Sequence, residues 1–98
     1  MGRRQAAAYI VASGRGGTLY VGVTSDLVRR AGEHRIGAGA GFATRYGCRM
    51  LVWFELFETM EAAILREKQV KGWLRARKIA LIVVGNPLWE DLYPTVLG

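Results

Sequence analysis

Ninety-eight residues, half of them apolar, suffice for one modest core and not for two. A formal charge of +6 favours polyanionic partners, nucleic acid ahead of an anionic membrane surface. A single cysteine, Cys48, and a single histidine, His34, exclude an intrachain disulfide and the usual zinc ligand sets; they fit a reducing cytoplasm and leave metal chemistry to hard cations on carboxylates.

The opening MGRRQAAAYIVAS sets charge before a short apolar run that enters a glycine-rich turn, so residues 7–13 read as a first strand rather than a signal peptide. Residues 14–17 (GRGG) are a turn, and 18–24 (TLYVGVT) are β-rich again, which predicts a hairpin. Thr24 or Ser25 then caps a helix that begins near Asp26 and stops by Gly37. GAGAG, residues 37–41, lacks the Lys-Ser/Thr ending of a phosphate-binding loop and reads as a linker. Residues 50–57 (MLVWFELF) form a third strand, 59–75 a second helix and 78–84 a third, which Asn86-Pro87 ends. The apolar run 79–84 is far too short to span a bilayer. The tail is expected to be irregular, packed by Trp89 and Tyr93. This order implies one α+β domain over residues 1–98: a small three-stranded antiparallel sheet flanked by helices, with its core in 7–86 and a tail in 87–98.

A four-residue hairpin loop places Ser13 opposite Thr18, Val11 opposite Tyr20 and Tyr9 opposite Gly22. Tyr9 and Tyr20 then share one face as diagonal neighbours, ~7–8 Å apart along the backbone. Gly22 leaves space over the Tyr9 ring, either as ordinary strand packing or as a pocket beside a tyrosine pair. On the first helix, steps of ~100° put Leu27, Val28 and Ala31 on the buried stripe. Arg29 points away from that stripe, whereas Arg30 and His34 lie along its edge, aimed at the sheet. A histidine at such a boundary is more often structural than catalytic, and a half-buried arginine needs an anion. Glu67 falls within the apolar stripe of the second helix (Met60, Ala63, Ile64, Val70, Leu74). A carboxylate facing the core must be paired, with Arg30 or Arg66 as candidates, or protonated, or bound to a metal.

Tyr9-Ile10-Val11 and Tyr20-Val21-Gly22, eleven residues from tyrosine to tyrosine, resemble the paired strands of the GIY-YIG nuclease family. Asp26-Leu27-Val28-Arg29-Arg30 resembles that family's helix motif, whose last arginine is catalytic, and AAILREKQVK resembles the helix that supplies its metal-binding glutamate. GFATRYG, LVWFE, KIALI and NPLWEDLYP fit the small single-domain bacterial subgroup, so the resemblance covers essentially the whole chain. Two departures stand out: Ala8 replaces the glycine before the first tyrosine, and Asn86 lies further from Glu67 than the family's late asparagine usually does.

The resemblance implies phosphodiester hydrolysis with one divalent cation, Mg²⁺ or in its place Mn²⁺, held by Glu67. It assigns Arg30 to charge developing on the phosphoryl oxygens, Tyr9 or Tyr20 to the attacking water and His34 to the proton relay. A tyrosine with an ordinary pKa of ~10 needs nearby cations to act as a base. Arg35, Arg45, Arg49, Lys68, Lys71 and Arg75 are expected to hold the backbone of nucleic acid, DNA rather than RNA, with little sequence readout. Six of the fourteen basic residues fall between Arg66 and Lys78, an arrangement that also suits a plain solvated face. A non-cutting nucleic-acid-binding module on the same fold is the alternative. A protein partner, or a homodimer through Trp53, Trp73 or Trp89, is compatible with either reading.

Overall fold

A computed structural model describes residues 5–39 and 41–98; the basic opening segment 1–4 and Ala40 of the glycine-rich connection lie outside it. Three strands, β1 (Ala6–Ala12), β2 (Leu19–Thr24) and β3 (Met50–Phe57), form an antiparallel sheet in the order β2-β1-β3. The hairpin register is the expected one, with Tyr9 opposite Gly22 and Val11 opposite Tyr20. Gly17 N–H donates to Gly14 O at 2.9 Å, closing the loop, and Ser13 and Thr18 pair beside it. Every residue of β1 from Ala7 to Ala12 is buried, because helices cover both faces of the central strand. The small alanines let those helices approach closely.

On one face Tyr9, Val11 and Leu51 pack with Leu27 and Ala31 of α1 (Leu27–Ile36), Ala43 of α2 (Phe42–Arg45) and Tyr93 of α5 (Tyr93–Leu97). On the other, Ile10, Ala12, Val21 and Val52 pack with Val70 of α3 (Met60–Lys71), Ile82 of α4 (Arg75–Gly85) and Trp89. Fully burying one such aliphatic side chain is worth ~1.5–3 kcal/mol, so each face is a core in its own right. The β1–β3 register jumps between Ile10 and Val11, leaving Val52 as an extra residue. This bulge turns the consecutive Val52 and Trp53 to the same face, where alternation would separate them.

The helices depart from expectation in several places. Asp26, not Thr24 or Ser25, caps α1: its carboxylate accepts the Arg29 N–H at 3.2 Å, while the Thr24 hydroxyl accepts the Asp26 N–H. Val28 is exposed, and His34 takes its place on the buried stripe. The segment 59–75 is not one helix. Gly72 caps α3, and Leu74, exposed rather than part of its apolar stripe, leads into α4 three residues earlier than the sequence suggests. α2 forms inside a stretch read as loop, and α5 inside the tail read as irregular. Trp89 is buried, which removes it as a surface for self-association. Among the described residues, no helix is long and apolar enough to cross a membrane.

Candidate active site

The site forms along the free edge of β2. Tyr9 crosses from the central strand beneath Gly22, and a Cβ built on Gly22 would collide with the Cζ and Oη of that ring. The glycine therefore makes room for the tyrosine itself. Tyr9 is only 2% exposed, and its hydroxyl meets His34 Nε2 at 2.8 Å. The His34 ring lies between the two tyrosines, its centroid 5.4 Å from Tyr9 and 5.8 Å from Tyr20. The sheet thus delivers the tyrosines, and one turn of α1 delivers the imidazole to them.

Arg30 precedes His34 by one turn on the same side of α1, its guanidinium beside the Tyr9 hydroxyl. Its anion is Glu33, 3.0 Å away, a residue the sequence reading passed over although the i,i+3 spacing offered it. Arg29 binds the other oxygen of the same carboxylate but stays 74% exposed, against 36% for Arg30. The helical-face distinction between the two arginines holds.

Burial pushes the Tyr9 hydroxyl up to about 12, against a smaller opposing pull from Arg30. The expected depression is thus absent in the protein alone. Burial, then the positive Arg30, pushes His34 down to about 4. At neutral pH both groups are uncharged, so the bond runs from Tyr9 O–H to Nε2 in the Nδ1–H tautomer of the imidazole, or from Nε2–H to the Tyr9 oxygen in the other. A consequence for stability follows. Between pH 6.5 and about 4 the unfolded chain binds a proton on this histidine that the folded chain refuses. Stability should therefore fall as pH drops through that window, by about 3 kcal/mol in all. Urea unfolding across it should show the slope, and His34→Gln should flatten it.

Glu67 reaches the same edge from α3, on the opposite face of the sheet. It is 8% exposed, and its ion partner is neither Arg30 nor Arg66 but Lys71, with Nζ 3.0 Å from Oε2. Arg66 is taken by Glu55 at 2.9 Å and lies against the Trp53 and Trp73 rings. The Lys71 ammonium also lies 5.8 Å from the Tyr20 ring centroid, which ties the carboxylate to the tyrosines. Arg30 and Glu67 are joined through these side chains and not by an ion pair of their own. A hollow of about 340 Å³, lined by Leu19, Tyr20, Val21, Phe42, Lys71 and Lys78, opens at one end of β2. A second, of about 210 Å³, opens at the other end beside Arg29, Arg30 and Glu33.

Among the described residues, no three His, Cys, Asp or Glu side chains cluster as a metal cage. The donor set for a cation at Glu67 is one nearly buried carboxylate plus solvent. That fits Mg²⁺ or Mn²⁺, hard ions that keep several waters, and does not fit zinc. In the protein alone this carboxylate is paired with the lysine ammonium.

The remaining expected residues divide. Asn86 is not brought to the site: its amide nitrogen donates to Val52 O and Glu90 O, and its oxygen accepts from Glu90 N–H, which fixes the end of α4. Arg35 is held by Asp91 and the Tyr93 ring, and Arg75 by the Gly16 and Gly17 carbonyls of the hairpin turn. Arg45, Arg49 and Lys68 are exposed and carry no carboxylate partner among the described residues. Phe42 stacks on Tyr20 at 6.2 Å and was missed because α2 is too short to show a period.

Residues 5–80 match the model of the GIY-YIG catalytic domain. A UPF0213 protein of Haloquadratum walsbyi is 38% identical over 71 residues, 72% of this chain and 80% of its own. One from Staphylococcus saprophyticus is 35% identical over 69 residues, 70% of this chain and 84% of its own. The solution structure of the UPF0213 protein BH0048 from Bacillus halodurans superposes with a TM-score of 0.55 at 30% identity, covering 89% of this chain and 92% of that one.

Proposed function

Because this chain belongs to the GIY-YIG family, we propose that it is a Mg²⁺-dependent endonuclease that nicks DNA with little sequence readout. The observation that carries this reading is the convergence of a Tyr9–His34 hydrogen bond, Arg30 and a nearly buried Glu67 on one sheet edge. Tyr20, half-buried and lining the larger hollow, orients the attacking water. With the imidazole proton on Nδ1, the Tyr9 hydroxyl would take the water's proton as it passes its own to His34 Nε2. Arg30 lies where it can neutralise charge developing on the phosphoryl oxygens. Glu67 would hold Mg²⁺, with Mn²⁺ as a substitute, and the bound ion would supply polarisation of the phosphate and the leaving oxygen. Arg45, Arg49 and Lys68 would hold the phosphate backbone, which makes binding steeply salt-dependent.

A time course on supercoiled plasmid tests the proposal. Nicked circles should accumulate before linear DNA, since one Glu67 and one Arg30 make one site. Glu67→Gln should remove the divalent-ion dependence along with the cleavage, because an amide is a poor Mg²⁺ ligand. Cleavage that persists in chelator, or in Glu67→Gln, overturns the assignment. Tight salt-sensitive binding without any cleavage favours a binding module on this fold.

A further inference from the structure

We infer that Lys71 is a tethered counterion with two stations: it neutralises Glu67 while the metal is absent, and the arriving divalent ion displaces it into the hollow beside Tyr20, where it binds a substrate phosphate. This rests on Glu67 being the metal ligand. The first station is on view, with Nζ 3.0 Å from an oxygen of this nearly buried carboxylate. A nearly buried carboxylate with no cation near it is costly, so the lysine stabilises the protein without metal. The second station is also at hand. Lys71 sits one helical turn beyond Glu67, its side chain is 55% exposed, and it lines the hollow with Tyr20 and Lys78. A four-carbon stem with three rotatable donors can turn from one to the other without moving α3.

Displacement follows from electrostatics. A divalent ion on Glu67 would place like charges within a few ångströms of each other at a poorly solvated edge, and the flexible partner gives way. Wild-type metal affinity is therefore lowered by having to evict the lysine. Metal loading in turn frees a phosphate-binding ammonium, so Lys71 couples the two binding events.

The test uses the full chain with Mn²⁺ alone, and then with a short duplex DNA. Lys71→Met, which keeps the bulk and removes the charge, should bind Mn²⁺ roughly tenfold tighter by calorimetry or spin resonance. The same variant should bind the duplex more weakly than wild type does when metal is present. Equal Mn²⁺ affinity in wild type and Lys71→Met, both lost in Glu67→Gln, overturns the inference while leaving the metal site standing. Mn²⁺ binding that survives Glu67→Gln overturns both. Should Lys71→Met fold poorly, the wild-type protein still decides. The Lys71 side-chain ammonium resonance should shift as Mg²⁺ is added and stay fixed in Glu67→Gln. A resonance that does not move in wild type rejects the two-station lysine.

Discussion

Arg30→Ala should lower the proposed DNA nicking by about 10²–10³-fold, the loss typical of removing one preorganised donor from developing oxyanion charge, while Arg29→Ala should change it about twofold or less. The two residues are adjacent, equally charged, and paired to the same Glu33. Only Arg30 turns its guanidinium towards the Tyr9 hydroxyl. A general effect of positive charge on DNA affinity would make the two variants alike, whereas a positioned guanidinium separates them. Initial rates at saturating DNA check this, because they remove any difference in binding. Equal damage from both substitutions would mean that the arginines act only as surface charge. Arg30→Lys should remain impaired, since an ammonium cannot reproduce the planar fork.

Gly22→Ala carries the second large effect, on fold and site at once. The added methyl would overlap the end of the Tyr9 ring, with Cε2 at 2.9 Å the least severe of the three contacts. The ring cannot retreat freely: it is buried, and its hydroxyl is fastened to His34. Overpacking of this kind costs about 1–3 kcal/mol, or several degrees in Tm per kcal/mol for a domain of this size. Nicking should fall even at temperatures where the variant is fully folded, because the tyrosine must shift relative to the imidazole. Gly85→Ala is the internal control. Its Cβ would meet nothing within 4 Å and lies on a helix, so it should be neutral or slightly stabilising. If both variants melt together with wild type, the close approach at Gly22 has no energetic weight.

Much of this site was legible because strand and helix periods are strict. The four-residue loop set Tyr9 opposite Gly22, period two put Tyr9 and Tyr20 on one face, and ~100° per residue separated Arg30 from Arg29. The unreadable parts have physical causes. Four- and five-residue helices, α2 and α5, are too short to display a period, so Phe42 was not seen beside Tyr20. Gly72 could be read as a weak spot inside one helix or as the break between two, and only packing decides. The partner of Glu67 was expected to be Arg30 or Arg66, and Lys71, one turn along the same helix, was passed over although its i,i+4 spacing offered it. Glu55, which takes Arg66, is on β3 and invisible to local spacing. Asn86 fits the family's order in sequence, yet its amide is consumed by Val52 and Glu90, contacts that no spacing foretells.

The strand order has a consequence for how the protein comes into being. β1 is flanked by β2, which follows it at once, and by β3, whose residues pair with it from about forty to fifty positions later, as in Ala12 with Met50 and Ala6 with Phe57. The tyrosines, Arg30 and His34 all lie within the hairpin and α1, and can meet while synthesis is still early. Yet one edge of β1 and one face of the hairpin stay bare until β3, α3 and α4 arrive, and two strands alone are marginal in water. Glu67 rides in with α3. A growing chain therefore holds its proton-handling half before its carboxylate, and under the proposed chemistry it stays silent towards nucleic acid until the domain closes.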